Sequence, residues 1–249
     1  MTAEFVRTLF PKPVWKRLVR IRARARLQGN AAKSPREIFS DIYRTGAWAG
    51  RHSRDRAGSF YSGPGSDERF GKPYSSAVLS FIRERGIKRV VDLGCGDFRV
   101  GRLIAPQVEH YVGVDVVPEL IAHNTKHCTL PNVAFRCLDI TRDALPPGEL
   151  CLVREVFQHL SNAQILSALG AMRQYRYGIV TEAQPADLAG FRPNRDRPAG
   201  TSARSFFGSG IRLDLPPFNI DGVEVLFEIP WPEEMDIVLR SFLFAPRGA

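Results

Sequence analysis

The 249-residue chain contains no uninterrupted apolar run near the roughly 18 residues that a membrane-spanning helix requires, so it is not expected to cross a bilayer. Cysteine is sparse. Cys95, Cys128, Cys137 and Cys151 form no Cys-x-x-Cys pair, three of them lie in or beside apolar runs that read as buried strands, and no secretory signal is recognisable. A reduced, cytoplasmic protein is the expectation. Acidic residues are scarce at the start: residues 1–30 hold Glu4 alone against Arg7, Lys12, Lys16, Arg17, Arg20, Arg22, Arg24 and Arg26. Most of the net charge of +9 therefore sits in this arm, and the remainder of the chain is nearly neutral. A catalytic body that tracks a nucleic-acid backbone would carry positive surface of its own, which argues against nucleic acid as the partner. No metal is expected either, because Asp139, Glu155 and His159 are available but lack a diagnostic ligand spacing.

At 44% hydrophobic residues the chain can bury one large core, and a single enzyme-sized domain follows. Its most informative stretch is Arg89-Val-Val-Asp-Leu-Gly-Cys-Gly-Asp-Phe-Arg-Val-Gly101, a buried-strand pattern that runs into a glycine turn with Asp92 at its entrance. Gly94 and Gly96 lack the Cβ that would bar positive φ or a closely approaching ligand. A dinucleotide fingerprint seats a pyrophosphate on a helix N-terminus, and a leading carboxylate would repel it. Here the carboxylate comes first. That arrangement suits a ligand with a cationic centre and a free amine, and S-adenosylmethionine carries both. The segment resembles motif I of the class I S-adenosylmethionine-dependent methyltransferases, with Phe98 standing where a third glycine is commonest and Gly101 opening a helix one turn later.

Later runs extend the resemblance over residues 75–245. His110-Tyr-Val-Gly-Val-Asp115 ends in a carboxylate nineteen residues after Gly96, where it can accept hydrogen bonds from both ribose hydroxyls; a helix N-cap ahead of Pro118 is its other reading. Val133-Ala-Phe-Arg-Cys-Leu-Asp139-Ile140 ends in a third acid. The resemblance implies that Asp139 binds the adenine amino group with an apolar neighbour against the ring; capping the segment before Thr141 is the alternative. Together these imply a cofactor site of Asp92, Gly94, Cys95, Gly96, Asp115, Val116, Asp139, Ile140 and Arg154. Glu149 to Leu160 matches the family's fourth motif, beside the methyl group.

Ser161 is a plausible N-cap for a helix with Ile165, Leu166, Leu169 and Met172 on its core side. A fifth strand covers Tyr177–Glu182, and Val223–Ile229 with Ile237–Phe244 read as a terminal hairpin. The expected fold class is α/β: a doubly wound, mostly parallel seven-stranded sheet with an antiparallel C-terminal edge hairpin.

Three divisions of the chain are expected: a basic amphipathic arm over 1–30, an N-terminal helix and lid loop over 31–74, and a methyltransferase domain over 75–249 with an acceptor loop at 183–222. In the arm, Val14, Trp15, Leu18, Ile21 and Ala25 gather on one helical side and Lys16, Arg17, Arg20 and Arg24 on the other. A solvated helix packed on its own domain is the leading reading, ahead of a peripheral contact with the inner face of the membrane and then a nucleic-acid contact. Pro35 starts a docked helix with Ile38, Phe39, Ile42 and Tyr43 at core spacing, Ser59–Asp67 reads as a mobile loop, and a further helix begins at Ser75. Tyr43, Trp48 and Tyr61 are lid or packing aromatics.

For the acceptor, Asn194, Asp196, Arg212, Asp214 and Asn219 offer hydrogen-bonding groups to a polyhydroxylated molecule, each with an ordinary loop role as its alternative. Phe39–Trp48, Gly94–Phe98, Val117–Ile121 and Leu215–Asn219 together resemble a subgroup of bacterial methyltransferases, which implies saccharide modification. Methyl transfer to a small or glycan-type hydroxyl is the expected reaction. His159 is the candidate base or a structural histidine, and Glu155 is a second catalytic candidate. A nucleic-acid methyltransferase is the first alternative, although the Pro-Pro-aromatic signature expected after the fourth strand is replaced by Arg-Glu-Val-Phe. A non-catalytic scaffold that keeps the cofactor fold is the second.

Overall fold

Strand β1 (Arg89–Leu93) is buried on both faces, with Val91 and Leu93 in one hydrophobic core and Val90 in the other. Such a strand needs cover on each side, which a doubly wound sheet supplies. The structure, a computed structural model, describes residues 12–49, 60–187, 189–231 and 236–245, and of residues 12–19 the backbone only. Around β1 lie β2 (His110–Asp115), β3 (Val133–Cys137), β4 (Leu150–Arg154) and β5 (Tyr177–Pro185), closed by β6 (Glu224–Pro230) and β7 (Ile237–Phe244). The seven-stranded order is β3-β2-β1-β4-β5-β7-β6. Strands β1 to β5 pair in parallel, and β7 runs antiparallel to both β5 and β6. The sheet has the expected order of connections, including the terminal hairpin. Because the chain leaves β1 toward β2 on one side and β4 lies on the other, a crevice opens over their carboxyl ends.

Helix α1 (Lys12–Gly29) is followed by α2 (Pro35–Thr45), where Ser34 and Glu37 form a reciprocal capping box and Ile38, Phe39 and Ile42 enter the core. Helix α3 covers Glu68–Arg85, so it begins ahead of the expected Ser75. Pro73 lies inside it, and proline there removes only one backbone donor, a loss offset by buried Phe70, Tyr74, Val78 and Phe81. A short α4 (Gly101–Ile104), α5 (Pro118–His127) and α6 (Asn162–Met172) complete the layers, with Ser161 and Gln164 forming a second capping box at α6.

The C-terminal part of α1 packs on the domain. Leu27 is buried, the Asn30 amide donates to Ala199 O at 3.0 Å, and Arg20 and Arg24 lie over the rings of Phe206 and Phe207. Trp15 and Leu18, on which a membrane contact would draw, have side chains outside the described residues. No helix among the described residues is long and apolar enough to cross a membrane.

The segment after β5 is held by its own polar groups. Asn194 donates to the carbonyls of Arg212 at 2.7 Å, Leu215 at 3.2 Å and Pro216 at 2.9 Å, while its Oδ1 accepts from Arg212 N at 2.9 Å. One buried amide thus replaces the regular hydrogen bonds that the segment lacks. Asn194→Ala should destabilise the protein by about 2 kcal/mol, seen as a melting-temperature loss of about 4–8 °C. An unchanged melting temperature would show that the loop is held some other way.

Candidate active site

The glycine turn is set by its backbone first. Gly94 has φ +80, and a Cβ there would lie 2.3 Å from Val156 Cγ2, so neither the conformation nor the space admits a side chain. Both Gly94 N and Cys95 N donate to Val114 O, at 2.7 and 2.9 Å, which folds the turn back over β2. Phe98, at the departure from the usual three glycines, adopts φ 60 itself. Its buried ring packs edge-on against Phe135 at 5.0 Å and Tyr111 at 5.7 Å, and that packing supports a conformation costly to a bulky residue.

Three acids end successive strand runs beside this turn, all on the wall of one cavity of about 290 Å³. Asp92 accepts from Tyr111 Oη at 2.7 Å. Asp115 accepts from Gly96 N and Val117 N, each at 3.2 Å. Burial raises both carboxyls to about 6. Asp139 takes the capping contact with Oδ1, which accepts from Thr141 N at 3.0 Å and Thr141 Oγ1 at 2.7 Å. Its Oδ2 is buried without a hydrogen-bond partner, 3.4 Å from Arg142 Nε in an ion pair. Cys95, Val116 and Ile140 line the same cavity. Arg154 donates through Nη2 to Gly65 O at 2.6 Å and pairs with Glu155 Oε2 at 3.3 Å. A cavity with buried carboxylates and a bare glycine turn fits an adenosine bearing a cationic amino-acid tail.

A wall from the N-terminal region closes the cavity. Ser62 and Asp97 bond reciprocally: Ser62 N donates to Asp97 Oδ2 at 3.1 Å and Asp97 N donates to Ser62 Oγ at 2.7 Å. Tyr43 Oη lies 2.8 Å from the same Ser62 hydroxyl. Residues 60–67, expected to be a mobile loop, are therefore packed onto the glycine turn, with Gly65 and Ser66 buried. The remainder of the expected lid loop, 50–59, is outside the described residues. Tyr43 and Trp48 line the cavity. Tyr61 instead bonds Asp67 at 3.1 Å and lies under Arg99.

After β4 the chain turns sharply through Glu155, at φ 55, into a 3-10 turn at Phe157–His159. Glu155, Gln158 and His159 all reach the cavity. The Glu155 carboxylate lies so close to Gly65 that a Cβ there would overlap it at 1.7 Å. Gln158 Nε2 donates to Glu155 Oε1 at 3.4 Å, leaving Gln158 Oε1 buried without a hydrogen-bond partner. His159 Nδ1 lies 3.0 Å from Gly200 O, an atom that only accepts, so Nδ1 carries the proton and Nε2 is bare in the neutral ring. Burial, with Arg197 adding to it, pushes this imidazole down to about 3. His159 is therefore neutral near pH 7, a weak base whose Nε2 can accept a hydrogen bond.

The five expected acceptor contacts are not on the cavity wall. Asn194 is spent on the loop's own backbone. Asp196 accepts from Asn162 N at 2.8 Å at the start of α6, Arg212 and Asp214 pair with each other at 2.6 Å, and Asn219 is exposed in a tight turn. Polar loop residues are as readily consumed by loop closure as by a ligand, and composition does not separate the two. The loop presents Thr201 and Ala203 to the cavity instead. Gln158 and Ser62 are among the cavity residues that the sequence reading passed over; the Ser-Gly-Pro-Gly-Ser run was a visible signal for the second. Among the described residues, no group of three or more His, Cys, Asp or Glu side chains could hold a metal ion.

The strand order and the acid-ended crevice define a class I methyltransferase fold. A family model described as a methyltransferase domain matches residues 90–175. The methyltransferase domain of a bacterial Hen1 protein shares the fold at 15% identity and TM-score 0.52, over 69% of this chain and 97% of that one. The N-terminal domain of EvdMO1, solved in the presence of SAH and D-fucose, does so at 13% identity and TM-score 0.51, over 81% and 96%. A Leishmania major SAM-dependent methyltransferase does so at 16% and 0.50, over 70% and 72%. No curated protein sequence matches the chain. Residues 90–175 thus match a methyltransferase domain, and the sheet around them has the strand order of the class I methyltransferase fold, whose family implies S-adenosylmethionine as methyl donor.

The raised acids give a pH dependence with a definite sign. Asp92 and Asp115 hold their protons up to about 6 in the fold against an ordinary 3.8, so their protonation stabilises the free protein at low pH and that contribution is lost as pH rises from 3.8 through 6. A ligand that needs the charged carboxylates must displace those protons. Affinity for S-adenosylhomocysteine, measured by calorimetry, should fall below pH 6 by up to about tenfold per pH unit for each acid engaged. A flat profile between pH 7.5 and 5 would contradict the assignment.

Proposed function

We propose that the protein transfers a methyl group from S-adenosylmethionine to a hydroxyl of a small or glycan-type acceptor. The observation that carries this reading is a pair of hydrogen-bond acceptors on the cavity wall, the Glu155 carboxylate and the bare Nε2 of His159. Such a pair suits a ligand that donates hydrogen bonds. The Trp48 ring, 5.3 Å from the His159 ring and 5.4 Å from Tyr43, adds an aromatic surface beside it. Adjacent hydroxyls over an apolar ring face describe a saccharide well. The shared fold of the EvdMO1 domain, solved in the presence of D-fucose, is in keeping with this choice.

In this reading Asp115 accepts from the ribose hydroxyls, Asp139 Oδ2 faces the adenine edge, Val116 and Ile140 flank the ring, and Gly94, Cys95 and Gly96 form the turn beneath it. Asp92 and Arg154 offer opposite charges to an amino-acid tail. When bound, the cofactor supplies a methyl on a sulfonium, already activated for displacement. The chain's own task is alignment and exclusion of water, with Glu155 placed to receive the hydroxyl proton as the new C–O bond forms and S-adenosylhomocysteine departs. The arm braces this site through Leu27 and the two arginine–phenylalanine contacts; that use of Arg20 and Arg24 favours packing over a nucleic-acid contact.

A panel of nucleotide sugars and glycan fragments, scored by S-adenosylhomocysteine release, should yield an acceptor, and transfer only to nucleic acid or to nothing would refute the reading. With an acceptor in hand, Glu155→Gln should lower kcat by about 10²–10⁴-fold, the range of general-base contributions. Trp48→Ala should raise KM for the acceptor while cofactor affinity holds. A Glu155→Gln enzyme of full activity would remove Glu155 as the base.

A further inference from the structure

The turn that carries Glu155, Gln158 and His159 has only the single 3-10 turn at Phe157–His159 to hold it, and it is gripped from below by a residue outside the cavity. Glu182, in the middle of β5, is fully buried, and its two carboxylate oxygens accept from consecutive amides, Phe157 N at 2.8 Å and Gln158 N at 3.0 Å. The other end of the turn is held by the opposite charge. Arg204, 1% exposed, donates through Nη2 to Leu160 O at 2.7 Å and through Nη1 to Arg195 O, which lies in the loop after β5. Between them Gly200 N donates to His159 O at 3.0 Å, and His159 Nδ1 donates back to Gly200 O.

A buried charge is tolerated only where hydrogen bonds and an opposite charge replace lost water. Glu182 meets that condition through the turn, and Arg204 meets it at its two Nη atoms, through the turn and the loop after β5, while its Nε is without a hydrogen-bond partner. Arg204 remains charged at neutral pH even though burial lowers it to about 10, with Asp196 and Glu182 drawing it back up; burial pushes the Glu182 carboxyl up to about 8, against the pull of the two amides and of Arg204. A carboxylate paired with amides and a guanidinium paired with a carbonyl match the polarity of the turn's two ends. Neither residue lines the cavity.

We propose that Glu182 and Arg204 are positioning residues that clamp the post-β4 turn from its two ends and lock the loop at 199–204 to it, so that acceptor wall and catalytic turn move as one unit. The proposal rests on the reading of that turn as the site of transfer, and its first tests need no acceptor. In the wild-type protein, hydrogen exchange at the amides of Phe157 and Gln158 should be slowed about a hundredfold or more relative to exposed loop amides, and the Nδ1–H tautomer of His159 should be visible by nitrogen NMR. Glu182→Gln keeps the shape but turns one acceptor into a donor. It should speed exchange at these two amides by about tenfold, the loss of one of the two amide hydrogen bonds, and shift the His159 nitrogen resonances. Calorimetric affinity for S-adenosylhomocysteine should change by less than about threefold, because the cofactor wall is separate. Arg204→Lys, which keeps the charge but loses the two-pronged donor, should disturb His159 more than Phe157.

Once an acceptor is known, both variants should lower kcat with little change in cofactor KM. Fast exchange at Phe157 and Gln158 in the wild type would overturn the proposal even if neither variant folded. So would a Glu182→Gln protein with unchanged exchange and His159 signals. Failure of every acceptor in the panel, with the exchange results as expected, would fault the reading of function and leave the clamp standing.

Discussion

The carboxylate of Asp115 ties the end of β2 to the glycine turn that leaves β1, by accepting one amide from each side, Gly96 N and Val117 N. The rest of the site depends on that tie. It sets how far the turn leans over the crevice, and with it the place of Asp97, to which Ser62 is bonded, and of Asn124, whose amide donates to Gly96 O at 2.7 Å. The carboxyl is buried and holds its proton up to about 6, so the same atoms that organise the turn are poised to exchange a proton for a ligand's hydroxyls. Structural and binding roles coincide there because a ribose diol presents to a carboxylate the same kind of donor that backbone amides do.

On the opposite side of the cavity the problem is reversed. The post-β4 turn has few hydrogen bonds of its own, and it offers acceptors rather than donors to the interior. Its order comes from Glu182 below and from the loop at 199–204 beside it. In the proposed function, acceptor choice would fall to a segment whose own polar groups are almost wholly consumed in holding shape. Thr201 and Ala203, small and unremarkable in sequence, are what that segment shows the cavity.

How much of this could be read from the chain follows from the range of the interactions. Strand-end acids, the glycine turn, the helix start at Pro35 and the N-cap at Ser161 are local patterns, in which a residue's neighbours in sequence set its role, and these were legible. The start of α3 was not, because Pro73 looks like a helix boundary until the burial of Phe70 and Tyr74 is known. The acceptor candidates went astray for a related reason. Asn194 looks like a ligand group in a polar loop, yet the carbonyls that engage it belong to Arg212, Leu215 and Pro216, eighteen or more residues along the chain. Ser62 with Asp97 and Glu182 with Phe157 are contacts between segments that only the folded sheet brings together. His159 was legible as a residue of interest but not as a neutral one, since burial by Trp48 and the Gly200 carbonyl is a property of the fold.

The most direct measurement is a crystal structure with S-adenosylhomocysteine bound. The account predicts both ribose hydroxyls within hydrogen-bond distance of Asp115, the adenine edge at Asp139 Oδ2, and the sulfur directed toward the turn of Glu155, Gln158 and His159. An adenosine seated elsewhere in the cavity, or a sulfur turned away from that wall, would contradict it.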